Sequence, residues 1–108
     1  MPRDQLLTRR VLEQLAAFHP VQARAMFGGY GLYLDGRFFA IVADGRLYFR
    51  TDAASRRRYQ ERGMQPFRPG DRYTMERYRE VPLDVQDDAA VLAEWAAEAA
   101  ATHAPRRR

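Results

Sequence analysis

The chain offers few side chains that can break or make a covalent bond. It contains no cysteine and no lysine, so thiol, Schiff-base and disulfide chemistry are excluded outright. Its single serine, Ser55, stands among arginines with no histidine near it in sequence. His19 falls at the end of a helical pattern, where a cation is favoured, and His103 lies in a basic tail. No His-x-x-x-His or cysteine pair is present, which gives no transition-metal pattern, and no metal or cofactor is expected. The carboxylates Asp84, Asp87 and Asp88 form a cluster that could hold a hard cation, but helix capping explains them without one.

Two other constellations carry possible chemistry. Gly28-Gly29-Tyr30-Gly31 suggests a phosphate cradle, yet it lacks the accompanying lysine and leads into a strand pattern. A tight turn or bulge between strands is the better reading. The second constellation is Arg56-Arg57-Arg58, continued by Arg62 one turn after Arg58. Successive helical residues are about 100° apart, so the run spreads around a helix while Arg58 and Arg62 share a face. Guanidinium groups beside Tyr59 suit bidentate pairing with carboxylates on a partner. Tyr33, Tyr48, Tyr59 and Tyr78 are expected to be exposed, serving either sheet packing or a binding face.

The elements that must position these residues follow from periodicity. Residues 3–19 read as a helix with Leu7, Val11, Leu15 and Phe18 as its apolar stripe, ended by His19-Pro20. Residues 23–34 hold two short apolar runs separated by Gly28-Gly29. Asp35-Gly36 and Asp44-Gly45 are two-residue hairpin signals, and the segment 37–43 between them is apolar on both faces, as a central strand should be. In the next strand Leu47 and Phe49 face one way and Arg46, Tyr48 and Arg50 the other. Thr51 or Asp52 caps a short helix that stops at Gly63. Pro66, Pro69 and Gly70 limit 64–70 to an edge strand or loop, and 72–81 reads as a strand with a bulge or an exposed edge. A final helix over 87–101 carries Val91, Leu92, Trp95, Ala96 and Ala99 on one stripe. The fold class is therefore α+β: an antiparallel sheet, a four-strand meander plus one or two further strands, with N-terminal, middle and C-terminal helices in a two-layer arrangement. One domain over 1–102 and a disordered basic tail at 103–108 are expected.

Charge bounds the partners. The 18 basic residues are all arginine against 14 acidic ones, and three of the arginines fall at 106–108. The body is close to neutral, so a broad footprint for nucleic acid is absent, and no sequence-specific DNA binding by the domain itself is expected. No apolar run approaches a membrane span and no signal peptide is evident, which makes the cytoplasm the expected location. A short strand-rich core and many tyrosines raise the expectation of a homodimer.

The stretch Arg24-Ala25-Met26-Phe27-Gly28-Gly29-Tyr30-Gly31-Leu32-Tyr33 resembles the opening of the TfoX (Sxy) N-terminal domain. The likeness continues through Asp35-Gly36, Phe39-Ala40, Leu47-Tyr48-Phe49-Arg50, Pro66-Phe67, Met75, Tyr78 and Glu80-Val81-Pro82 to the Trp95 helix. This resemblance implies a stand-alone form of that domain, lacking the C-terminal helical domain of full-length members. It implies regulation of natural competence through a transcriptional coactivator acting with the cyclic-AMP receptor protein, and it transfers no catalytic residue. The expected function is thus a non-enzymatic regulatory module that docks a protein partner, with transcription machinery the class the resemblance suggests. Arg57, Arg58, Arg62 and Tyr59 are its expected contacts. The alternative is a small-ligand or enzymatic domain using the Gly-rich turn and the arginines.

Overall fold

The computed structural model describes residues 3–26 and 28–102. Phe27 of the glycine motif, His103 and the basic tail at 103–108 lie outside the described residues. In chain order the elements are α1 (Arg3–Leu15), β1 (Val21–Met26), β2 (Gly29–Leu34), β3 (Arg37–Ala43), β4 (Arg46–Arg50), α2 (Ala53–Glu61), β5 (Pro66–Phe67), β6 (Met75–Glu80), α3 (Leu83–Gln86) and α4 (Ala89–Ala101). The α+β class holds, with one antiparallel sheet in the order β1-β2-β3-β4-β6-β5.

Local chemistry builds the meander. Asp35 and Gly36 have φ of 52° and 75°, and Asp44 and Gly45 have 53° and 74°. Positive φ at both central residues gives a turn whose twist matches the strands it joins. β3 consequently sits inside the sheet, with Phe39, Ala40, Ile41 and Val42 fully buried. Its register carries a bulge: Leu32 pairs with Ala40 while Tyr33 pairs with Phe38, which leaves Phe39 as the extra residue. Phe39 and Ala40 thereby both face the helices, and Phe38, Ile41 and Ala43 face the other way. The helical side is one core, built on Val11, Leu15, Phe39, Phe49, Tyr59 and Leu92, to which all four helices contribute.

Three expectations are corrected. α1 ends at Leu15, not at residue 19, because the Phe18 and His19 amides both turn back onto the Leu15 carbonyl at 2.8 Å. Phe18 is therefore 49% exposed and leaves the apolar stripe. The last helix is two: α3 follows Pro82, and α4 starts afresh at Asp88, whose carboxylate accepts from the Val91 amide at 3.2 Å. Only Asp88 of the acidic trio caps α4. Asp84 and Asp87 pair with Arg62 and Arg10. Finally, β6 carries the expected bulge, since Pro66 pairs with Arg79 and Phe67 with Met75, but it is an inner strand and two-residue β5 is the edge beyond it. The 90% buried Arg79 side chain makes this possible by donating to the Met64 and Glu76 carbonyls and to the Glu76 carboxylate, which ties the β5 connection down.

Candidate functional site

The glycine motif is the β1–β2 turn. Gly28 has φ of +75°, which a side chain would strain. A Cβ on Gly29 would overlap the Val42 carbonyl, and one on Gly31 would meet the Met26 thioether and the Phe38 ring. Met26, Gly29 and Gly31 thus let β1, β2 and β3 approach closely, and Tyr30 packs against the main core. β2 follows immediately, so no helix N-terminus stands behind the turn to hold a phosphate.

The arginine helix α2 begins with a capping box. The Asp52 carboxylate accepts from the Ser55 amide at 2.8 Å, and the Asp52 amide donates to the Ser55 hydroxyl at 3.0 Å. The bond from the Ser55 amide is the main cause that holds the Asp52 carboxyl below its ordinary value, and the box commits Ser55 to structure. Arg58 lies 3.9 Å from the centroid of Trp95, with both terminal nitrogens on Glu98 at 2.5 and 3.4 Å. Arg62 pairs with Asp84 at 2.5 Å. Arg57 alone of the three has no ion pair among the described residues, and it is exposed.

Tyr59 is not a surface residue. It is 1% exposed and packs edge-on against Trp95 at 5.1 Å. As the one aromatic side chain of α2 it supplies the helix's apolar contact with the core, and burial pushes its hydroxyl well up from the ordinary tyrosine range. Tyr48 and Tyr78 are likewise buried, against the expectation of exposure, and only Tyr33 keeps part of its ring accessible. Burial is also the main cause that raises the Tyr48 and Tyr78 hydroxyls.

Tyr48 and Tyr78 belong to a feature the sequence reading missed. On the helix-free face a line of rings crosses the sheet: Tyr33 to Phe38 at 5.3 Å and Phe38 to Tyr78 at 5.5 Å. Arg24 sits over Tyr33 at 5.3 Å at one end and Arg50 over Tyr78 at 6.0 Å at the other. Phe67 folds onto Tyr48 at 5.0 Å beside them. The alternation of Arg46, Tyr48 and Arg50 was the available signal, but the pairing of Arg50 with Tyr78 depends on β6 lying next to β4.

A helix layer on one face of an open antiparallel sheet, with an arginine–aromatic line on the other, defines a two-layer α+β domain. Residues 13–103 match the family model described as the TfoX N-terminal domain, and the chain belongs to that family. One curated relative, DNA transformation protein TfoX1 of Aliivibrio fischeri, is 42% identical over 45 residues. That alignment covers 42% of this chain and 22% of the relative, so the chain matches about a fifth of the relative's length.

Proposed function

We propose that the domain is a regulatory interaction module of the TfoX kind, working by presenting a rigid surface to a protein partner. The family membership and the relative's name, which ties that protein to DNA transformation, support a non-enzymatic regulatory role. The observation that carries the reading is the β1 edge. Among the described residues β1 is a six-residue strand with a sheet neighbour on one side only, so its other side presents backbone donors and acceptors without a strand partner there. Such an edge is a template for strand addition, in which main-chain bonds supply affinity and alternate side chains supply selectivity. Gln22 and Arg24 are exposed along it. Arg57 on α2 is a second, charged contact suited to steering an acidic partner. Arg58 and Arg62 support that surface from their intramolecular pairs. A second copy of this chain is one partner that the edge fits.

A photo-crosslinking residue placed at Gln22, at Arg57 or, as a control, at the exposed Asp71 after β5, the sheet edge opposite β1, tests this in the source cell. Discrete protein adducts from the first two positions and none from Asp71 are expected. No adduct from either position, or equal labelling at all three, refutes the reading. Light scattering at micromolar concentration identifies the homodimer.

A further inference from the structure

From the clustering of guanidinium groups at one end of the sheet, we infer a nucleotide-binding site in which arginines hold a phosphate and Tyr73 stacks on the base. The site lies where β4 passes into α2 and meets the start of β6. Thr51 fixes this corner, since its amide and hydroxyl both donate to the Arg77 carbonyl, at 2.6 and 2.8 Å. Arg50, Arg56 and Arg77 line a single cavity of 530 Å³ there. That volume is within the range of about 300–1,000 Å³ typical of small-molecule sites.

The charge in this cavity is not balanced internally. Of its two carboxylates, Glu76 is neutralised by Arg79 at 2.8 Å, while Asp52 bonds only neutral Ser55 donors and offsets one of the three arginines. Arg50 and Arg77 have no ion pair among the described residues, and Arg56 gives its Nε to the Thr51 hydroxyl at 3.1 Å. The Nε of Arg50 is buried and has no acceptor. Three guanidinium groups against two carboxylates, one of them already neutralised by Arg79, leave an excess of positive charge suited to an oxyanion. Tyr78 lies beneath the Arg50 guanidinium and keeps it at the cavity wall.

The ligand class comes from what adjoins the cavity. A second space of 320 Å³ shares Arg50, Glu76 and Arg77 with the first and is bounded by Tyr73 and Met75. Tyr73 is 63% exposed, a large ring with no packing role to account for it. A phosphate next to an open aromatic ring matches one nucleotide, which places its phosphate on arginine and its base on the ring. The line of Phe38, Tyr33 and Arg24 continues the same chemistry across the sheet and favours a single strand over a phosphopeptide.

The test uses the full chain at low salt. Binding of inorganic phosphate, thymidine 5′-monophosphate, a labelled oligothymidylate and a phosphotyrosine peptide is measured by titration calorimetry and fluorescence anisotropy. The nucleotide or the oligothymidylate binds more tightly than inorganic phosphate; the former alone identifies a free nucleotide and the latter a strand. Arg77→Gln weakens that binding about tenfold or more and Tyr73→Ala by roughly tenfold, while Arg57→Gln leaves it unchanged. Arg77 makes no side-chain bond among the described residues, so its variant keeps the wild-type melting temperature and a loss of binding is read directly. Absence of binding, equal affinity for inorganic phosphate, tighter binding of the phosphopeptide, or insensitivity to Arg77→Gln and Tyr73→Ala overturns the inference. The outcome is independent of the crosslinking at Gln22 and Arg57.

Discussion

Replacing Arg58 by alanine should destabilise the domain, although Arg58 sits in a run of three arginines on a surface helix. Two interactions are lost together. The guanidinium lies 3.9 Å from the Trp95 centroid, an arrangement worth about 0.5–1 kcal/mol when exposed and about 2 when desolvated. Arg58 is about half-buried, so roughly 1–1.5 kcal/mol is reasonable. The pair with Glu98 has side chains 40% and 39% exposed, and solvent screening limits it to about 0.5–1 kcal/mol. The sum is about 1.5–2.5 kcal/mol, a fall in Tm of roughly 6–20 °C for a domain of this size. Arg57→Ala, with no partner to lose, should change Tm by only about 3 °C or less. Thermal denaturation followed by circular dichroism separates the two. A double-mutant cycle of Arg58→Ala with Glu98→Ala should give a coupling of about 0.5 kcal/mol or more. Equal melting of Arg58→Ala and wild type would show that the Trp95–Arg58–Glu98 stack is not held in solution. Because Arg58 and Arg62 are held in intramolecular pairs, charge reversal at Arg57 alone probes docking without disturbing the fold.

Ile41→Asp should cost several kcal/mol and leave little folded protein at 25 °C by circular dichroism, because the carboxylate would be unpaired in the fully buried centre of β3. Gly29→Ala should lower Tm more than Gly28→Ala, since a Cβ at residue 29 overlaps the Val42 backbone whereas residue 28 faces open space and meets only backbone strain; equal shifts would remove the close-approach argument. Asp52→Ala should cost about 1 kcal/mol through loss of the cap. The folded carboxyl of Asp52 lies below its ordinary 3.8, so the cap contributes fully above that value and is lost as pH falls through the depressed one. The stability gap between Asp52→Ala and wild type should therefore be full near neutrality and close in acid, and a gap independent of pH would contradict the charged cap.

Hairpins, caps and the central strand were legible because their causes are local. Asp-Gly at 35–36 and 44–45 supplies the positive φ that a two-residue turn needs, and Asp52 and Gly63 bracket α2 by the same kind of backbone preference. The glycine motif was legible as a turn for that reason, and the α+β class followed from the two periodicities. Tertiary structure alone decided which arginine was free. Arg57 and Arg58 are adjacent in sequence, yet a 100° step places one in solvent and the other on Trp95, some forty residues away in the chain. The same holds for Tyr59, which looks like surface beside three charges until the helix docks and buries it. The Arg50–Arg56–Arg77 cavity joins a strand, a helix and a strand that only the β4–β6 pairing brings together. Local preference writes the elements; the pairing of distant segments chooses which side chains meet, because contact depends on the third dimension that periodicity does not encode.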